Sequence, residues 1–102
     1  MLTIAEAQAV EVLFGRYQKL IASHMAELQD LPEKCRGEHL SRLCAEAMQN
    51  AHRYPFDKLS RWMGFVQGVL AVKGLVDVDE EREFSRPYLH ALHQGPIPTF
   101  SG

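Results

Sequence analysis

Apolar residues recur in steps of three and four along Val10, Leu13, Phe14, Tyr17, Leu20, Ile21, Met25 and Leu28. That period follows one face of an α-helix and cannot be reconciled with the two-residue alternation of a strand. Thr3 and Glu6 have the T-x-x-E spacing of a capping box just ahead of the stripe. The pattern predicts a first helix over about 4 to 29, ended by Asp30-Leu31-Pro32, because proline disfavours helical geometry in the residue before it.

The same period returns at Leu40, Leu43, Cys44, Ala47, Met48 and Ala51, with Arg42, Glu46, Gln49 and Arg53 on the other side. A second helix over about 38 to 53 is expected, with Pro32 as an earlier start if Gly37 is tolerated and Tyr54-Pro55 as its stop. Asp57 as N-cap and Gly74 as left-handed C-terminal cap bracket a third helix, about 58 to 73. Asp77 and Glu80 form a capping box for a fourth, which Pro87 either kinks or divides with Ser85 as a second cap, and which ends at Gly95. Residues 96–102 read as a tail that frays or docks through Ile97 and Phe100. The expected fold is all-α: a single domain over 1–95, a compact bundle of four to five helices with the third central and Trp62 in the core.

A chain of 102 residues has one core to supply its stability, and 46% hydrophobic with 24% charged residues is an ordinary globular balance. Eleven basic against thirteen acidic side chains give a net charge of −2, which lacks the positive excess that neutralises phosphates. No helix supplies a basic recognition start, so nucleic acid is not the expected partner. The longest uncharged apolar run, Trp62 to Val72, falls short of the ~18 apolar residues of a membrane span. Cys35 and Cys44 are the two cysteines, and the N-terminus lacks a basic start and a small-residue cleavage site. A cytoplasmic protein without a disulfide framework is the expectation.

The third helix poses the functional question. At 100° per residue, Ser60, Gly64, Gln67, Gly68, Ala71 and Gly74 fall on one side, bordered by Arg61, while Leu59, Trp62, Met63, Phe65, Val66, Val69, Leu70 and Val72 fall on the bulky side. Each interior glycine costs about 1 kcal/mol relative to alanine, so something that needs close approach is expected at Gly64 and Gly68. A neighbouring helix, within the chain or across a dimer axis, is the first explanation. The second is a ligand or partner gripped by Arg61 and Gln67. Arg82 and Arg86, four apart and joined by His93 if the helix continues, extend this to a cationic patch suited to carboxylates or phosphates. Asp79 and Glu83, each three residues before one of these arginines, offer the plainer reading of a self-paired, solvated face.

Metal and catalytic readings find less. Cys35, His39 and Cys44 form C-x3-H-x4-C, and His90 with His93 forms H-x2-H, neither a strong zinc spacing. No glycine-rich phosphate loop, nucleophile elbow or H-E-x-x-H pattern occurs, so no enzyme activity, metal or cofactor is expected.

Residues 58 to 87, "KLSRWMGFVQGVLAVKGLVDVDEEREFSRP", resemble a motif of small phage and prophage accessory proteins. The matching features are Arg61-Trp62, Gly64-Phe65, Gln67-Gly68, Glu81-Arg82 and Arg86-Pro87. The resemblance carries no established activity. It implies a context in which small proteins bind a host component, such as a defence complex, or sequester a small signalling molecule. Two function classes follow. One is a non-enzymatic module that binds a host or phage protein through a helical face, itself a homodimer because its long first helix carries apolar surface to cover. The other is a binder of an anionic or nucleotide-like ligand in a groove lined by Gly64, Gly68, Arg61, Gln67, Arg82 and Arg86.

Overall fold

The first helix stops short of its own apolar stripe. In the computed structural model, which describes the backbone of residues 4–94 and the side chains of residues 7–87, α1 spans Ile4–Ser23 and a tighter 3-10 turn covers Met25–Leu28. The Ser23 hydroxyl donates to the Lys19 carbonyl and the His24 amide to that of Ile21, which closes the α-helical ladder. The chain keeps turning, so Leu28 still reaches the core and is fully buried. Core-facing periodicity therefore outlasts the α-helix. The capping box at Thr3 and Glu6, the tail 96–102 and the side chains of His90 and His93 lie outside the described residues.

A short 3-10 turn, Glu33–Cys35, precedes α2, Gly37–Gln49, and the extended backbone of Arg36 separates the two, so Pro32 does not begin the helix. Both the backbone amide and the side-chain Nδ2 of Asn50 donate to the Glu46 carbonyl, at 3.0 and 2.8 Å, and end α2 before the expected 53. α2 returns antiparallel to α1: Gln18 donates to the Ser41 carbonyl at 3.3 Å, and Gly37 sits against Ile21 and Met25. A Cβ on Gly37 would lie 2.5 Å from Met25 Sδ, so the end of that flexible side chain would have to shift to admit it.

α3 spans Phe56–Val72, and its N-cap position is Pro55. Asp57 is therefore not the cap; it falls in the first turn and pairs with Arg61 at 3.4 Å. Gly74 is left-handed, with φ +75°, as its position implied. The Gly74 amide bonds the Ala71 carbonyl and the Leu75 amide bonds that of Leu70, at 3.0 and 2.9 Å, a Schellman closure that tucks Leu75 against the core. The chain then reverses into α4, Val78–Gln94, where Asp77 Oδ1 accepts the Glu80 amide at 3.0 Å. α4 runs undivided through Pro87, and Ser85 is no cap: it is buried, its hydroxyl donating to the Glu81 carbonyl at 2.7 Å. The result is an all-α bundle of four helices.

Its centre is α1 rather than α3. Val10, Leu13, Phe14, Tyr17 and Ile21 are fully buried, and α2 covers them with Leu40, Cys44 and Ala47. α3 adds Leu59, Met63, Val66 and Leu70. The apolar stripe of α1 is thus covered within one chain, which removes the reason given above for a second copy. Trp62 is not in this core. It lies one position off the inward row of α3, half-buried at the rim, edge-on to Tyr54 at 5.7 Å with Lys58 over its ring. Among the described residues, no helix is long and apolar enough to cross a membrane.

Candidate functional site: the outer face of α3

The inward row of α3 leaves an opposite face whose two interior glycines have no described residue within 4 Å of a Cβ position. Down it run Asp57, Arg61, Gly64, Phe65, Gly68 and Val72, and between Arg61 and Lys73 the sequence holds no charge. Val72 is 85% exposed and Phe65 39%. At both Gly64 and Gly68, nothing lies within 4 Å of where a Cβ would stand. Among the described residues, then, no other element packs tightly against these glycines, which was the first explanation above; Gly37 is the glycine that is closely packed.

The two glycines form a bare ridge with a hollow on each side. One, about 370 Å³, lies between α3 and the start of α4, with Gln67, Ala71, Val78 and Arg82 among its lining. The other, about 380 Å³, is almost wholly apolar and is walled by Phe65, Val69 and Val72 of α3 with Leu31 and Cys35 from the segment between α1 and α2. Cys35 is a free thiol there. Cys44 is buried in the core, which pushes its thiol up to about 12. Among the described residues no three His, Cys, Asp or Glu side chains converge as a metal site.

Behind the first hollow is a polar cluster that ties three helices together. The Arg16 guanidinium meets Glu81 at 2.6 Å, the Tyr17 hydroxyl donates to Glu81 Oε1 at 2.8 Å, and Gln67 Nε2 donates to the Tyr17 oxygen at 2.6 Å. Arg16 also lies over the Phe84 ring at 4.2 Å. Burial raises the Glu81 carboxyl, but the hydrogen bonds from Arg16 and Tyr17 outweigh it and hold the group below its ordinary value. Burial drives Tyr17 well above its ordinary value, so its hydroxyl stays protonated and able to donate.

No family model, curated protein or solved structure matches the chain. The site is thus read from its own geometry. Of the six residues singled out in the sequence, Gly64, Gln67, Gly68 and Arg82 come together at one hollow. Arg61 and Arg86 line neither hollow; each pairs with a carboxylate on its own helix, Asp57 and Glu83, in the open. Arg82 forms no ion pair with any described residue, so the self-pairing with Asp79 is absent while that of Arg86 is present. Sequence reasoning missed Phe65, Val69 and Val72 as surface, having placed them on the bulky side, and missed Glu81, whose partners lie 64 and 65 residues away.

Proposed function

We propose that this protein is a non-enzymatic docking module whose working surface is the outer face of α3. The observation that carries this is the open glycine ridge in the middle of a surface helix. A helix facing only water is normally polar on that side. Here two glycines each give up about 1 kcal/mol of helix stability with no neighbour among the described residues to reward it, beside exposed valine and phenylalanine. The resemblance of residues 58–87 to phage accessory proteins supports a host or phage protein as the partner.

An anionic small molecule in the α3–α4 hollow is the second reading, favoured by Arg82 at its edge, which pairs with no carboxylate among the described residues. Small-ligand sites rely on several converging polar groups. In this hollow Gln67 is turned to Tyr17, Glu81 is held by Arg16 and Tyr17, and Ser85 bonds the Glu81 carbonyl. One guanidinium at an apolar surface suits a protein face better.

Cys35 offers a native handle for the test, because Cys44 is inaccessible. A photo-activatable cross-linker attached to Cys35 is expected to capture a defined partner from host lysate, and Gly68→Leu is expected to abolish that adduct while the protein stays folded. The same adduct surviving in Gly68→Leu would defeat the proposal.

A further inference from the structure

We infer that the partner presents a basic segment, an apolar anchor flanked by lysine or arginine, to the corner where α3 turns into α4. The inference rests on the docking reading above and adds the chemistry of the occupant.

The corner is apolar at its centre. Val72 ends α3 and Val78 begins α4, one on each side of the turn 73–77. They are 85% and 55% exposed, more than any other large apolar side chain among the described residues. Val76, half-buried in the turn, walls both the α3–α4 hollow and a second one of about 380 Å³, whose lining includes Leu75, Asp77 and Glu80. Acidic side chains therefore border the same surface as the exposed valines.

The rim carries a negative excess. Asp77, Asp79 and Glu80 are exposed, and none forms an ion pair with any described residue. The charges beside them cancel in pairs: Glu81 with Arg16, Glu83 with Arg86, Asp30 with Lys73. Among the described residues of this corner Arg82 is the cation left over, so three carboxylates less one guanidinium leave two negative charges in excess. The dipole of α4 favours acids in its first turn, but it does not discharge them.

Charge complementarity selects the occupant. A partner that covers Val72 and Val78 takes water from the neighbouring carboxylates. Lysine or arginine on its flank replaces that water with charge-assisted hydrogen bonds, whereas an acidic flank adds repulsion. The same excess repels phosphates, so a protein segment suits this corner better than a nucleic acid or an anionic membrane.

The test uses the full chain and two labelled helical peptides of about 18 residues that share one leucine and alanine face. One is flanked by lysines and the other by glutamates. Fluorescence anisotropy at low salt should show the lysine peptide binding about tenfold more tightly, with the gap closing as sodium chloride screens the corner. Asp79→Asn combined with Glu80→Gln removes two of the carboxylates, leaves Asp77 in place, and should erase most of that preference. Val72→Ser should weaken both peptides, with melting curves confirming folded variants. Equal binding that the Asp79/Glu80 variant leaves unchanged, but that Val72→Ser and Gly68→Leu weaken, refutes the basic partner while the docking face stands. Lysine-peptide binding that follows the carboxylates yet ignores Val72→Ser and Gly68→Leu is bare charge attraction and refutes both readings. A tighter glutamate peptide, or no binding of either, overturns the inference, and the Cys35 cross-link then decides the docking face on its own.

Discussion

Replacing Gly64 and Gly68 together by alanine should make the isolated protein more stable. Neither added methyl would meet any atom of the described residues within 4 Å. What remains is the backbone effect: alanine restricts the unfolded chain and suits the helix better, by about 0.5–1 kcal/mol at each position. The positions share no partner to be strained, so the two gains add to about 1–2 kcal/mol. For a domain of this size each kcal/mol raises the melting temperature by roughly 4–8 °C, so calorimetry should find a rise of about 5–15 °C. Gly37→Ala is the internal control, since its methyl would stand 2.5 Å from Met25 Sδ and should yield no gain. A double variant no more stable than wild type, or less stable, would show that something covers the ridge in the free protein and would refute the open-face description.

The Arg16–Tyr17–Glu81 cluster sets a pH window. Glu81 lies below its ordinary 4.5, so its contribution is complete above that value and is lost as pH falls through the folded value; Tyr17 lies above its ordinary 10.0, so its contribution is complete below 10.0 and fades as pH rises. Denaturant titrations between pH 7 and 3 should show a shallower loss of stability for Glu81→Gln than for wild type, and parallel curves would contradict this. Trp62→Ala, at the rim, should lose only about 1–2 kcal/mol, against about 3–5 for Phe14→Ala in the core; equal losses in urea unfolding would put Trp62 inside after all. Gly74→Ala should lose about 1 kcal/mol because φ +75° strains any side chain there, and an unchanged melt would remove the role given to the Schellman closure.

Local rules were readable where one residue acts on its neighbours. The apolar steps located the first two helices and the capping signals the other two: Asp77 Oδ1 accepts the Glu80 amide as its spacing implied, and Gly74 turns left-handed. The ends of α1 and α2 were misjudged because Leu28 and Ala51 remain buried after the α-helix has ended, so the stripe runs past the hydrogen-bond ladder. The site was half legible. Small residues at Gly64 and Gly68 signalled an unusual face, but a helix wheel does not say whether glycine is crowded or bare. Only the packing of α1 into the centre, which turns Leu59, Met63, Val66 and Leu70 inward, decides that Phe65 and Val72 face out. The cluster around Glu81 had no sequence signal, since its residues meet through the fold.

The antiparallel pair α1–α2 is contiguous in the chain and carries the densest part of the core. α4 attaches differently: it arrives last, through the turn at Gly74, and packs along α1 with the ionic cluster around Glu81 as its described polar tie and Phe84 and Ser85 beside it. Neighbouring segments associate early because little chain must be ordered to join them. Amide hydrogens of α1 and α2 should therefore exchange with solvent most slowly, while those of α4 exchange through an opening that leaves the rest intact. Such an opening would carry Val78 and Arg82 away from the glycine ridge, so the width of that hollow is governed by the same carboxylate that fastens the last helix.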